Sequence, residues 1–125
     1  MEAEFPGEFI HMIIQELPTL LDGKVIMFIS VDNYSRFCFS IAVPHPLTFE
    51  SLQSHLDAIL FDISAKHPGT IPTFIMAYGK EFEFRLASVY RGKAYFRFDS
   101  KLANEIAQPV AREFKKHLNR QTNNN

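Results

Sequence analysis

The sequence contains no tryptophan and a single cysteine, Cys38. One cysteine excludes an internal disulfide, which is typical of proteins from reducing compartments. No apolar run approaches the ~18 residues that a membrane-spanning helix needs, and the acidic opening MEAEFPGEF lacks the pattern of a secretion signal. A glycine-rich phosphate loop and the spacing of zinc ligands are also missing. We therefore expect an intracellular protein, cytoplasmic with the nucleus left open, and no membrane partner.

The composition is that of a globular domain. Hydrophobic residues make up 46% of the 125 residues and charged residues 22%, and this length is sufficient for one hydrophobic core. We expect a single domain over residues 1–120 and a disordered tail at 121–125.

The net charge of -1 conceals an uneven distribution along the chain. Residues 1–79 carry three basic and nine acidic side chains, a balance of -6, and residues 80–125 carry ten basic and five acidic side chains, a balance of +5. A basic half of this kind is suited to phosphate contact, although solvated helix faces produce the same asymmetry.

The apolar pattern of the first half predicts an antiparallel meander of three strands. Residues 8–17 are apolar on both alternating faces, which favours a buried strand over the alternative of a short helix. Residues 24–31 are almost continuously apolar, and residues 36–43 alternate large and small side chains with a period of two. Cys38 lies in this third strand, where we expect it to be a buried small hydrophobe.

The second half predicts alternating helices and strands. Thr48 is placed to cap a helix that continues to about residue 66, and a strand follows at 71–77. Residues 80–92 have helical spacing, although a hairpin through Arg91 and Gly92 also fits. A strand at 94–98 precedes a last helix, capped by Asp99 or Ser100, in which Pro109 should cause a kink or a break. The expected buried stripe of that helix is Leu102, Ile106, Val110, Phe114 and Leu118.

This order, βββαβαβα, predicts an α/β fold with a mixed five-stranded sheet, and four segments resemble the catalytic cores of integrases and transposases. FPGEFIHMIIQEL is similar to their "PGE-hydrophobic-H-hydrophobic-D" opening, and VIMFISVDNYSRF to their second strand with its "D-x-x-S-R" turn. IPTFIMAYGKEF resembles "P-x-x-hydrophobic-x-x-D-N-G-x-E-F", and AREFKKHLN resembles the last helix. The resemblance covers roughly residues 5–119 and implies a ribonuclease H-like fold.

The resemblance also implies a site of three carboxylates that hold two Mg²⁺ ions for phosphodiester chemistry. Carried over position by position, the first acid falls on Ile13 and the second on Ala77. The third falls on Arg112 or, with a shift of one residue, on Glu113. Because isoleucine and alanine cannot bind a metal ion, we expect no metal cofactor and no catalysis. Asp32, Glu16 and Glu81 are the remaining acids near these motifs.

We therefore expect a catalytically inactive integrase-like core that binds DNA or takes part in a DNA-recombination assembly. An alternative is a dimerisation module without a nucleic-acid role, and a third is a metal-dependent nuclease that uses displaced acids such as Glu16 or Asp32. The resemblance implies a homodimer. The candidate nucleic-acid-binding residues are Lys80, Arg91, Lys93, Arg112, Lys115, Lys116 and Arg120.

Two further patterns carry less information. The five histidines show no spacing typical of metal ligands, and we expect them at the surface or in turns. Tyr78, Gly79 and Lys80 precede a predicted helix whose free N–H groups are suited to an anion, although an empty turn is the preferred interpretation.

Overall fold

The computed structural model describes residues 1–17 and 25–123. These residues form five strands and three α-helices, with a short 3₁₀ turn before the second helix. They are β1 (Phe9–Leu17), β2 (Val25–Asp32), β3 (Cys38–Pro44), α1 (Phe49–Lys66), β4 (Thr73–Met76), the 3₁₀ turn (Lys80–Phe82), α2 (Glu83–Val89), β5 (Tyr95–Phe98) and α3 (Ser100–Asn123).

The strands form one mixed sheet in the order β3-β2-β1-β4-β5. The first three strands are antiparallel neighbours, whereas β4 is parallel to β1 and β5 is parallel to β4. The predicted α/β class and mixed five-stranded sheet are therefore confirmed. The short-helix alternative for residues 8–17 is wrong, because this segment is the central strand and both of its faces are covered.

Each face of the sheet carries its own hydrophobic core. Ile10 and Met12 point to the face that α1 and α2 cover, where they join Phe74, Leu52 and Leu56. The opposite face is covered by α3, and its core contains Ile13, Met27, Ile29, Val31, Ile75, Ala103, Ala107 and Ala111. The alternation of side chains along β1 and β2 therefore divides the apolar residues between two layers of helix.

The start of α1 confirms the predicted cap. Thr48 accepts a hydrogen bond from the N–H of Ser51 at 3.1 Å, and the Ser51 hydroxyl lies 3.3 Å from the N–H of Thr48. This reciprocal pair satisfies two backbone donors that the first turn of a helix leaves free.

Residues 80–98 show which of the two sequence interpretations is correct. A 3₁₀ turn leads into α2, and the chain then turns through Gly92, at φ +76°, into β5. The hairpin alternative is therefore wrong. The strand β5 is parallel to β4, so it has to be reached by a crossover and not by a tight turn.

The last helix differs from its prediction in which residues contact the sheet. Among the described side chains of this helix, Ala103, Ala107 and Ala111 are fully buried, and Leu102, Ile106, Val110 and Phe114 of the predicted stripe are only partly buried, along one side of this row. Pro109 is exposed and lies within one uninterrupted helix, so the predicted break does not occur.

At its start, α3 is capped by Asp99, whose carboxylate accepts from the N–H of Leu102 at 3.1 Å. At its end, the helix extends to Asn123, into the segment 121–125 for which the sequence predicts disorder. Residues 124–125 and the side chain of Leu118 lie outside the described residues. No helix in the described part of the chain is long and apolar enough to cross a membrane.

Candidate functional site

The first two positions of the carried-over carboxylate site lie side by side on parallel strands. Met12 of β1 is opposite Met76, the last residue of β4. Ile13 and Ala77 are the residues that directly follow these two. The N–H of Ala77 also donates to the carbonyl of Met12 at 3.0 Å. The fold therefore brings these two positions together, although neither side chain contains a ligand atom.

The two residues that the sequence suggests for the third position do not face the sheet. Ala111 is the buried residue of this part of α3, and it shares an apolar cluster with Ile13. Arg112 and Glu113 are both exposed to solvent, and Glu113 pairs with Lys116 at 3.6 Å. The surface of α3 that meets the sheet therefore presents an alanine methyl group.

The displaced acids do not converge on this point. Asp32 pairs with Ile10 and Glu16 pairs with Ile26 in the same β1–β2 ladder, so six residues, or about 20 Å of strand, separate them. Both carboxylate oxygens of Asp32 are already engaged, because they accept from the N–H groups of Gly7 and Tyr34, each at 2.9 Å. Within residues 1–17 and 25–123, no three His, Cys, Asp or Glu side chains form a group that could hold a metal ion.

A buried polar cluster lies on the α3 face of β1 instead. His11 Nδ1 lies 2.7 Å from the carbonyl oxygen of Leu102, and its Nε2 lies 3.0 Å from Nδ2 of Asn33. Since a carbonyl only accepts, Nδ1 carries the proton and Nε2 accepts from the Asn33 amide. Asn33 also accepts from the N–H of Ala3 at 2.9 Å, so the cluster joins the N-terminal segment, β1 and α3.

Burial and several nearby groups shift the pKa of His11. Burial is the largest effect and lowers the pKa of His11, and Arg36 and the terminal amino group act in the same direction. The hydrogen bond to Leu102 and the charge of Glu105 partly oppose this effect. The imidazole is therefore held neutral, as its tautomer requires.

A second buried histidine lies between α1 and the sheet. His55 Nε2 lies 2.7 Å from the hydroxyl of Ser30, and its ring centre lies 5.1 Å from that of Phe28. Burial lowers the pKa of His55 to about 4. The expectation that the histidines lie at the surface or in turns is therefore wrong for His11 and His55, which are 1% and 4% exposed.

Sequence signals for both histidines existed. His11 lies within a strand whose two faces are both apolar, so either face would bury it. His55 follows Leu52 by three residues and precedes Ile59 by four, which is the spacing of the buried face of α1.

The segment around Tyr78 is structural. The Tyr78 ring stacks on Phe28 with 5.8 Å between centres, and its hydroxyl is buried without a hydrogen-bond partner in the described structure. Burial raises the pKa of Tyr78. Gly79 has φ +82° and introduces only a three-residue 3₁₀ turn, which is too short to offer an anion the aligned N–H groups of a helix N-terminus. Cys38 is half-buried, and burial raises its thiol pKa.

The candidate basic residues divide between the two ends of the sheet. Lys80 follows the carboxyl end of β4, whereas Arg91 and Lys93 precede the amino end of β5. Because these strands are parallel neighbours, the two groups lie at opposite ends of the sheet. Arg91, Lys93 and Lys80 are all exposed.

The remaining candidates lie on α3. Arg112 and Lys116 are exposed and four residues apart, so they share one face of the helix. That face also includes Glu105 and Lys101 in the preceding turns. The side chains of Lys115 and Arg120 lie outside the described residues.

A groove beside Lys93 lies at the amino end of β5. It has a volume of about 450 Å³ and a largely apolar lining. The lining residues are Leu60, Ser64, Gly69, Thr70, Ile71, Gly92 and Lys93. It therefore offers one cation and two hydroxyls, without a paired acid and base.

In comparisons with known proteins, no family model matches the chain, and no match is found among curated proteins.

Proposed function

We propose that this chain is a ribonuclease H-like domain, similar to an integrase or transposase core, that binds nucleic acid without metal-dependent catalysis. The observation that carries the proposal is the apolar cluster that contains the first two carried-over positions and Ala111, the residue next to the suggested third position. Ile13 and Ala77 are adjacent on parallel strands and α3 presents Ala111 to the same cluster. The parallel pairing of β1 with β4 supports the proposed resemblance, and the hydrocarbon side chains of Ile13, Ala77 and Ala111 support the proposal that no metal ion is held here.

The nucleic-acid part of the proposal rests on charge. Exposed cations lie just after the carboxyl end of β4 and on one face of α3. Residues 80–125, which contain them, have a charge balance of +5. Contacts from lysine and arginine to phosphate give affinity without base specificity. The single, unpaired Cys38 supports the proposed location in a reducing, cytoplasmic compartment.

Fluorescence anisotropy with labelled duplex and single-stranded DNA, measured without metal at several salt concentrations, tests this function. We expect an affinity that falls steeply with salt, and a weaker salt dependence in the variant Arg112→Glu/Lys116→Glu. The matched control is Arg91→Glu/Lys93→Glu, which makes the same change of charge at the amino end of β5. No binding at low salt would overturn the proposal, and equal losses in the two variants would overturn the assignment to α3.

The absence of catalysis has its own test. We expect no cleavage or joining of DNA under single-turnover conditions with Mg²⁺ or Mn²⁺, because Glu16 and Asp32 are separated by about 20 Å of strand. Activity that disappears in Glu16→Gln or Asp32→Asn would contradict this expectation and support the displaced-acid alternative.

A second candidate function, that of a homodimerising interaction module, is favoured by the exposed apolar side chains. Ile41 of β3 is 45% exposed and Phe37, just before this strand, is 52% exposed, and large apolar residues at a surface mark candidate protein contacts. Light scattering at increasing protein concentration tests it, and a strict monomer would exclude it.

A further inference from the structure

The strand β3 forms an open edge of the sheet. Among the residues that the structure describes, it pairs only with β2, and its seven residues, CFSIAVP, include no charged side chain and a proline only at the last position. Natural edge strands are usually protected from pairing by charged side chains, bulges or a covering segment. Here the one-to-one register with β2 shows no bulge, and the central residues Ser40, Ile41 and Ala42 are exposed.

The backbone groups that β3 offers at this edge follow from its pairing with β2. The carbonyl of Phe37 accepts from the N–H of Asp32 at 2.9 Å, so Phe37 directs its backbone groups toward β2. In an antiparallel ladder the direction alternates residue by residue. Phe39, Ile41 and Val43 therefore also face β2, and the N–H and C=O groups of Cys38, Ser40 and Ala42 face away from the sheet.

The two faces of this edge differ in side-chain size. Phe39, Ile41 and Val43 are opposite Ser30, Phe28 and Ile26, on the face that α1 covers. Ile41 remains 45% exposed there, and Phe37, just before the strand, is 52% exposed. On the other face the edge carries only the small side chains of Cys38, Ser40 and Ala42.

From these observations we infer that β3 pairs antiparallel with β3 of a second copy of this chain, about a two-fold axis at Ser40. This register places Ser40 opposite Ser40 of the second copy and Cys38 opposite Ala42, so that the free backbone groups of each copy meet. The large apolar residues then pair on the α1 face, Phe39 with Ile41 and Phe37 with Val43. The result is one continuous ten-stranded sheet.

A second copy fits this edge because the strand is complementary to itself under two-fold symmetry. No like charges meet across the axis, since the nearest charged residue, Arg36, falls opposite Pro44. Cross-strand pairs of aromatic and branched side chains stabilise a sheet, and each large apolar residue has such a partner in this register. The inference rests on the second candidate function, homodimerisation, and extends it. It assigns the contact surface to β3, away from Phe61 and Phe84.

The test combines the mass in solution with the exchange of individual amides in the full chain. Sedimentation equilibrium should show a mass that rises with concentration from 14.4 kDa toward twice that value. Over the same range, NMR-detected hydrogen exchange should slow at the amides of Ser40 and Ala42. The amides of Phe39, Ile41 and Val43, which already face β2, should be unchanged.

The variant Ile41→Lys places one cation in each of the two Phe39–Ile41 pairs, and we expect it to weaken association at least tenfold. Phe84→Lys is the matched control, because it introduces the same charge at an exposed apolar position on α2 and should leave association unchanged. If Ile41→Lys does not fold, the amide exchange of the unaltered chain decides the question.

Two results would overturn the inference, and they differ in what they say about the second candidate function. A doubled mass with unchanged exchange at Ser40 and Ala42 would assign the dimer to another surface and leave that function standing. A monomer at every concentration would exclude both.

Discussion

His11 Nδ1 lies 2.7 Å from the carbonyl oxygen of Leu102, which is 91 positions further along the chain. The same imidazole accepts from Asn33 through Nε2. One neutral histidine therefore joins the central strand to the first turn of α3 and to the end of β2. Because both ring nitrogens are used, the tautomer and the orientation of the ring are determined by its neighbours.

Replacing Asn33 by aspartate should raise the pKa of His11. A carboxylate next to Nε2 favours the protonated ring and opposes the effect of burial, which now lowers this pKa. An NMR titration of the His11 ring protons measures the shift. The control is Asn104→Asp, which makes the same chemical change on the outer part of α3. An unchanged His11 pKa in Asn33→Asp would contradict the hydrogen-bonding assignment.

Stability should fall as the pH is lowered through the range between the ordinary histidine pKa of 6.5 and about 4, the pKa of His55 in the folded chain. In that window the unfolded chain binds a proton that the folded chain excludes, so acid favours unfolding. A shift of this size corresponds to about 3 kcal/mol when fully expressed, and the lowered pKa of His11 acts in the same direction. Urea unfolding at a series of pH values measures the slope.

The variant His55→Gln should show a shallower decline with pH than the unaltered chain, because glutamine does not titrate. His67→Asn changes an exposed histidine and should leave the slope as it is. Identical slopes in the unaltered chain and His55→Gln would show that another group causes the acid sensitivity.

Enlarging the alanine row of α3 should destabilise the fold. Ala107 is fully buried against the sheet, so a leucine there has to displace the helix, at a cost of about 1–3 kcal/mol. Glu105→Leu adds a leucine of the same size at an exposed position and should have little effect. Chemical denaturation of both variants gives the comparison, and equal stabilities would mean that α3 does not pack closely through Ala107.

Restoring carboxylates tests the proposed relation to metal-dependent cores. In the triple variant Ile13→Asp/Ala77→Asp/Ala111→Glu, three acids replace buried or half-buried apolar groups. We expect low stability without metal, because like charges in an apolar cluster repel one another. Mg²⁺ or Mn²⁺ should recover part of it, since metal binding to the folded state stabilises that state. Thermal unfolding with and without metal measures the recovery.

Two controls accompany that variant. The unaltered chain should show no such recovery, and neither should a triple variant that carries Arg112→Glu in place of Ala111→Glu, because residue 112 faces solvent. An equal metal effect in both triple variants would contradict the assignment of the third position to residue 111.

The sequence was sufficient to predict elements whose signal is local. The cap at Thr48, the alternation of β3 and the apolar face of α1 all depend on neighbours within a few residues. Neighbouring residues could not decide between a helix and a hairpin at 80–92, because the answer depends on β5 being parallel to β4. Only the sheet as a whole contains that information.

The side of α3 that contacts the sheet could not be predicted from the sequence, for a different reason. Ranking residues by hydrophobicity selects Leu102, Ile106 and Val110 as the buried stripe, yet Ala103 and Ala107 are the residues in the centre of the contact. Small side chains permit the helix to approach the sheet closely, and the larger ones then pack along one side of this contact. The same contact explains why Arg112 and Glu113, the candidates for the third position, are exposed, whereas their neighbour Ala111 lies in the apolar cluster that contains Ile13.

The position of β1 in the middle of the sheet also has a consequence for synthesis of the chain. β1 pairs with β2 within the first 32 residues, but its other neighbour, β4, ends at Met76. As the chain emerges from the ribosome, the meander of β1 to β3 is complete before β4 has been synthesised. The backbone groups of β1 that later pair with β4 therefore remain unpaired while more than thirty further residues are translated. At about 5–20 residues per second, that interval lasts seconds, during which the meander exposes a strand edge that only β4 later covers.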